Sequence, residues 1–139
     1  MEILYTAIAH ATGGGRDGRV RSEDDRLDLA TRPPVELGGD GEGTNPEQLF
    51  AAGYAACYLS AVHASARELS LDTADAAVSG SVSLGRQADN SFGLAVELDL
   101  WAPNVPAEQR RALADAAHRK CPYSNATRGN IVVTITIVD

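Results

Sequence analysis

TNPEQLFAAGYAACYL, residues Thr44 to Leu59, is the stretch whose reading decides the fold. It opens as a helix should. Asn45 can cap, Pro46 suits the first helical position, and Gln48 stands three residues after the cap. From Leu49 to Leu59 every residue is apolar or small. A helix with no polar face over three turns is a buried helix, and roughly 15 residues are too few to cross a bilayer. The expectation is the central helix of a soluble domain, with Cys57 carried inward.

Working outward, Ile3, Tyr5 and Ile8 read as a first strand and Gly13 to Asp17 as a turn. Val20 to Ser22 and Arg26 to Thr31 read as short strands joined by a turn at Glu23 to Asp25. Arg32 to Gly43 is a Gly/Pro loop that lacks the lysine of a phosphate-binding loop. After the helix, Glu68 to Ala74 is a connector. Ala76 to Arg86 and Ser91 to Trp101 alternate as a hairpin turning at Ala88 to Asn90. Pro106 starts a second helix to about Lys120, with Leu113, Ala114, Ala117 and Cys121 on one face. Pro122 to Asn130 reads as a loop and Ile131 to Val138 as a β-branched strand. The order β-β-β-α-β-β-α-β, with no repeat or linker, predicts one α+β domain over residues 1–139.

The 139 residues can bury a real core. A net charge of −7 argues against a nucleic-acid surface or a polybasic membrane contact. The start, MEILYTAIAHAT, has no basic leader, so a cytoplasmic location is expected. Two cysteines in a reducing compartment suit redox chemistry or inert burial better than a permanent bridge. His10, His63 and His118 are scattered and no C-x-x-C occurs, so no metal site is expected.

Cys57 has two readings. In an Ala-rich helix it can be a small buried hydrophobe. To react it must become a thiolate, yet an apolar site raises a pKa that is about 8.5 for a free cysteine. Mid-helix, it also lacks the N-terminal dipole. A reactive Cys57 therefore needs a cation from elsewhere in the chain. Arg16, in the GRDG turn, is the candidate, against the plain alternative of a solvated turn arginine. Glu47 can simply complement the helix dipole, or it can orient a guanidinium through a bidentate pair. Cys121 is either a core residue or a resolving thiol. Ser124, Asn125 and Thr127 read as turn builders, and Arg128 as a minor candidate for a second arginine near the site.

The motifs GTNPEQLFAAGYAAC and CPYSNATRGNI, in that order, resemble those of the organic hydroperoxide resistance proteins of the Ohr/OsmC family. LYTAIAHATGG, the GRDG turn and FGLAVEL are similar too, so the likeness covers nearly the whole chain. It implies an OsmC-like fold, with antiparallel sheets packed around a long central helix plus a second helix, in an intertwined homodimer. It also implies a thiol peroxidase that reduces alkyl and lipid hydroperoxides to alcohols. Cys57 would be the reactive thiol, Cys121 the resolving one, and Arg16 and Glu47 its partners. No cofactor is implied, only an external dithiol or lipoylated protein as reductant. The run GGGRDG is one glycine longer than the family's usual turn, which makes Arg19 the fallback for Arg16. The OsmC branch and a non-enzymatic thiol redox sensor are the alternative functions.

Geometry adds a constraint on assembly. Ten helical residues separate Glu47 from Cys57, roughly 15 Å along the axis. One arginine cannot easily bond to both on one helix. Glu47 of one copy is therefore expected beside Cys57 of a second, in agreement with the family's homodimers.

Overall fold

The computed structural model describes residues 1–139. Two compact units divide the chain, Met1–Leu49 and Phe50–Asp139.

In the first unit β1 (Ala9–Gly13), β2 (Gly18–Ser22) and β3 (Asp28–Thr31) form an antiparallel sheet in that order. The strand expected over Ile3 to Ile8 begins only at Ala9. β2 is five residues long and enters a turn after Ser22, so β1 runs out of partners beyond the bond from the Glu23 N–H to the Ile8 carbonyl. Ile3, Leu4 and Tyr5 are left exposed. The loop expected from Arg32 holds one 3₁₀ turn, Val35–Leu37.

Helix α1 (Pro46–Leu69) starts as expected: the Gln48 N–H donates to Asn45 Oδ1 at 2.9 Å, with Pro46 at the first helical position. The Gln48 side chain accepts from Thr44 Oγ1. The end differs. The helix runs 24 residues, and its length and composition would suffice to cross a membrane, so the argument from shortness fails. No glycine stops it. Ser70 takes the left-handed conformation (φ 55°) and the Leu71 N–H bonds the Ala66 carbonyl, a Schellman closure made with serine.

In the second unit β4 (Ala77–Arg86) and β5 (Phe92–Trp101) form the expected hairpin. Helix α2 (Ala107–Lys120) is followed by α3 (Pro122–Thr127) and by β6 (Val132–Val138). Two expectations are corrected here. Pro122 does not open a loop; it is the first residue of α3, where its missing N–H costs nothing. The second sheet, β4-β5-β6, is mixed rather than antiparallel, because α2 and α3 carry the chain back over the sheet and β6 joins β5 in parallel.

The core of this unit gathers Tyr54, Tyr58 and Val62 of α1, Val96, Leu98 and Leu100 of β5, and Leu113, Ala114 and Ala117 of α2. β4 approaches the backbone of α1 at Gly80, where a Cβ would lie 2.9 Å from the Ala51 carbonyl oxygen. Burial on every side of α1 is not observed. Tyr54, Tyr58, Ala61, Val62, Ser65 and Ala66 are buried, whereas Ala52, Ala56 and Ser60 form an open small-residue face.

Candidate active site

In the first unit, the turn between β1 and β2 is shaped by Gly15 at φ 73°, a conformation open to glycine, and tied down by Thr31, whose hydroxyl donates to the Gly15 carbonyl at 2.8 Å. Arg16 sits in this turn and makes a fork-to-fork pair with Glu47. Nη1 donates to Oε2 at 2.9 Å and Nη2 to Oε1 at 2.6 Å. The guanidinium holds the Glu47 carboxyl below the usual carboxylate range, against partial burial, which pushes it up. A guanidinium has five N–H donors, so those not spent on Glu47 can meet a further acceptor. Arg19 points elsewhere, its Nε donating to Asp28 at 2.6 Å. Of the two arginines considered, Arg16 is the one that meets Glu47.

The second unit holds the thiols. Cys57, on α1, is partly exposed, and Cys121 is fully buried. Both are free, and the Cys121 thiol donates to Cys57 Sγ at 3.5 Å. Sixty-four positions apart in sequence, they meet because Cys121 is the one non-helical residue between α2 and α3 (φ −63°, ψ 123°). Burial pushes the Cys57 thiol up; the Tyr123 backbone N–H draws it down, and the neighbouring Cys121 pushes it up again. The net direction is upward, so within its own unit Cys57 has no partner that makes it acidic.

Tyr123 closes over α1 at Gly53, where an added Cβ would lie 3.1 Å from the phenol oxygen, and stacks on Phe50 with ring centres 5.9 Å apart. Phe50, Leu94, Tyr123, Ala126 and Ile131, with Thr127 and Asn130, line a largely apolar cavity of about 380 Å³. Tyr54 and Tyr58 are buried in the core, with Tyr58 donating to the Ala114 carbonyl.

Other residues behave differently from their sequence reading. Ser124 and Thr127 are buried, not solvated turn builders, and both meet the Tyr54 hydroxyl, at 3.0 and 3.1 Å. His118 Nδ1 lies 2.9 Å from Ser124 Oγ. The one signal in the sequence was spacing: His118 is three residues before Cys121 and Ser124 three after. Arg128 is bound to the His118 carbonyl and to Asn125. No three His, Cys, Asp or Glu side chains converge in metal-binding fashion.

Comparison with known proteins gives a consistent picture. The profile of the OsmC-like protein family matches residues 39–136. An organic hydroperoxide resistance protein of Xanthomonas axonopodis pv. citri is 50% identical over 138 residues, covering 98% of this chain and 96% of that one. The crystal structure of an organic hydroperoxide resistance protein OsmC from Legionella pneumophila superposes with a TM-score of 0.93 at 43% identity, covering 99% of this chain and all of that one. One from Elizabethkingia anophelis, with thiocyanate bound, gives 0.93 at 44% identity, covering 100% and 99%.

Proposed function

This chain belongs to the OsmC-like family, among its organic hydroperoxide resistance proteins, and we propose that it acts as a cysteine peroxidase on alkyl and lipid hydroperoxides. The observation that carries the mechanism is the pair of free thiols 3.5 Å apart. The Cys57 thiolate attacks the outer peroxide oxygen. The O–O bond breaks, the alkoxide takes a proton and leaves as the alcohol, and Cys57 becomes a sulfenic acid. The Cys121 sulfur then displaces the hydroxyl, water leaves, and a disulfide forms. An external dithiol restores both thiols. Because Cys121 is fully buried, the incoming dithiol meets Cys57 first and Cys121 is the leaving group. A lipoyl-type dithiol fits this role, and no cofactor is required since sulfur does the chemistry. The apolar cavity beside Phe50 and Tyr123 suits an organic tail.

Cys57 still needs a cation, and Arg16 with Glu47 supplies it in this reading. The two form one preassembled unit, and we place that unit of one copy at Cys57 of a second, in a homodimer with two shared sites. Support comes from the exposed apolar side chains Ile3, Leu4, Tyr5, Val35 and Leu37, and from the open face of α1. The upward shift of the Cys57 thiol in a lone unit points the same way. A cytoplasmic location, as one domain over residues 1–139, completes the proposal; two free, adjacent thiols suit a reducing compartment.

The test is turnover of cumene hydroperoxide with dihydrolipoamide. Wild type should cycle and Cys57→Ser should not. Equal rates in the two would overturn the mechanism, and binding without turnover would favour a sensor.

A further inference from the structure

Three polar side chains meet inside the second unit one turn from the thiols. Tyr54 lies on α1 three residues before Cys57, His118 on α2 three before Cys121, and Ser124 on α3 three after it. Tyr54 and Ser124 are fully buried. The Tyr54 hydroxyl donates to Ser124 Oγ at 3.0 Å, and Ser124 Oγ lies 2.9 Å from His118 Nδ1. Ser124 accepts from Tyr54 and shares one further bond with Nδ1, whose direction follows the imidazole tautomer. Thr127 Oγ1 also meets the Tyr54 oxygen and donates to the Tyr123 carbonyl at 3.0 Å. Every buried hydroxyl in the group is satisfied.

Such a chain is costly where apolar residues would pack as well, because each hydroxyl must be matched or it destabilises. Its placement gives it a use. Cys57 rides on a continuous helix, but Cys121 rides on the break between two helices. The backbone ties Cys121 to each helix separately, its N–H to the Ala117 carbonyl and its carbonyl to the Asn125 N–H, so side-chain bonds are what join one helix to the other. The His118–Ser124 bond spans it from one side to the other, and the Ser124–Tyr54 bond anchors it to α1. Closing a disulfide takes the sulfurs from 3.5 Å to about 2.05 Å, so the break must approach α1 without swinging away.

We propose that Tyr54, Ser124 and His118 are positioning residues for the closing step, holding Cys121 against Cys57 so that the sulfenic acid is captured as a disulfide. In that step the Cys121 sulfur forms the S–S bond, the S–O bond of the Cys57 sulfenic acid breaks, and the oxygen leaves as water with the thiol proton. The hydroperoxide consumed in the preceding step is the oxidant. The proposal rests on the peroxidase reading of the two cysteines.

The experiment treats reduced wild type, Tyr54→Phe, Ser124→Ala, His118→Leu and His118→Asn with one equivalent of cumene hydroperoxide. It follows Cys57 oxidation, disulfide closure and sulfenic acid trapped by dimedone. Tyr54→Phe and Ser124→Ala should slow closure about ten- to a hundredfold, as a displacement near 1 Å can, and raise the trapped fraction. Cys57 oxidation itself should stay within about threefold. His118→Leu should behave like Ser124→Ala, and His118→Asn, which keeps a polar atom near the Nδ1 position, should restore fast closure. Unchanged closure in Tyr54→Phe and Ser124→Ala would overturn the proposal, as would oxidation and closure falling together. A second measurement needs no peroxide: the midpoint potential of the Cys57–Cys121 pair in dithiothreitol buffers. A tenfold loss in closure equilibrium raises it by about 30 mV, whereas an unshifted potential in Tyr54→Phe and Ser124→Ala would overturn the proposal even if the peroxidase reading itself failed.

Discussion

The Arg16–Glu47 pair and the Cys57–Cys121 pair are built by opposite means. The first is charged and half in solvent, and its two members complete each other. The second is uncharged, with Cys121 fully buried and Cys57 half-buried, and burial pushes the reactive thiol up. One region has charge and no nucleophile; the other has a nucleophile and no charge. In the proposed mechanism, the unit around the thiols brings the two sulfurs together but holds no cation that would favour a thiolate. Chemistry on a peroxide needs both, and that need drives the proposal of a site shared between copies.

The largest expected effect breaks the thiol side. Cys57→Ser should bring hydroperoxide turnover down to the uncatalysed background, because a serine hydroxyl in this apolar place is neither acidic nor nucleophilic. Cys121→Ser should allow one round of reduction, stop dithiol cycling, and leave Cys57 open to sulfinic acid. Mass spectrometry after several equivalents of hydroperoxide distinguishes the two. A Cys121→Ser chain that cycles normally would mean the resolving thiol is external.

Next comes the charged side. Arg16→Ala should raise the Cys57 pKa, read as an alkaline shift of its alkylation profile, and slow oxidation at neutral pH. Arg19→Ala, which frees only Asp28, should leave the alkylation profile in place. The reverse pattern would hand the role to Arg19. Co-refolding inactive Glu47→Ala chains with inactive Cys57→Ser chains should regain activity through one intact site per mixed dimer. No recovery, or an active wild-type monomer by sedimentation, would rule out sharing.

A smaller effect concerns the cavity. Longer apolar hydroperoxides should exceed hydrogen peroxide in kcat/KM, by up to about 0.8 kcal/mol for each methylene buried. Leu94→Asn, in the cavity wall, should shrink that gain. Equal efficiency for hydrogen peroxide and a fatty-acid hydroperoxide would show that the cavity is not used.

The same contrast explains what was legible in the sequence. The start of α1 was, because Asn45, Pro46 and Gln48 are local signals that act within one turn. Its end was not. His63, Arg67 and Glu68 thin out the apolar run, and the stop is a serine in the left-handed region where a glycine would have announced it. Pro122 reads equally as the end of one helix and the first residue of the next, and here it is the latter. The parallel seating of β6 depends on how α2 and α3 cross the sheet, which no local pattern encodes. In the candidate site, Cys57, Cys121, Arg16 and Glu47 came from motif likeness, and burial then separated them into two environments. The chain through His118, Ser124 and Tyr54 left only the spacing about Cys121 as a trace, because its members are common residues joined by folding.

The smallest expected effect is on stability, and it separates the regions by sign. The folded pKa of Glu47 is depressed by Arg16. Its contribution is therefore complete above the unfolded carboxyl value, near 4.3, and is lost as pH falls through the folded value. The Cys57 thiol is raised, so its contribution is complete below the unfolded thiol value and is lost as pH rises through the folded one. Arg16 is 43% exposed on its side chain, so solvent screens the pair, and about 0.2–1 kcal/mol is the range to expect. Urea unfolding under reducing conditions, at fixed protein concentration, should show Glu47→Gln less stable than wild type at pH 7 by that amount. The gap should close as pH falls through the depressed Glu47 value, below which Glu47 is protonated in wild type as well. Cys57→Ser should leave this acid limb where it is and flatten the alkaline one. A gap for Glu47→Gln that stays constant from pH 7 down to the acid limit of folding would mean that the glutamate contributes through packing alone, and that its pairing with Arg16 adds no net stability to the fold.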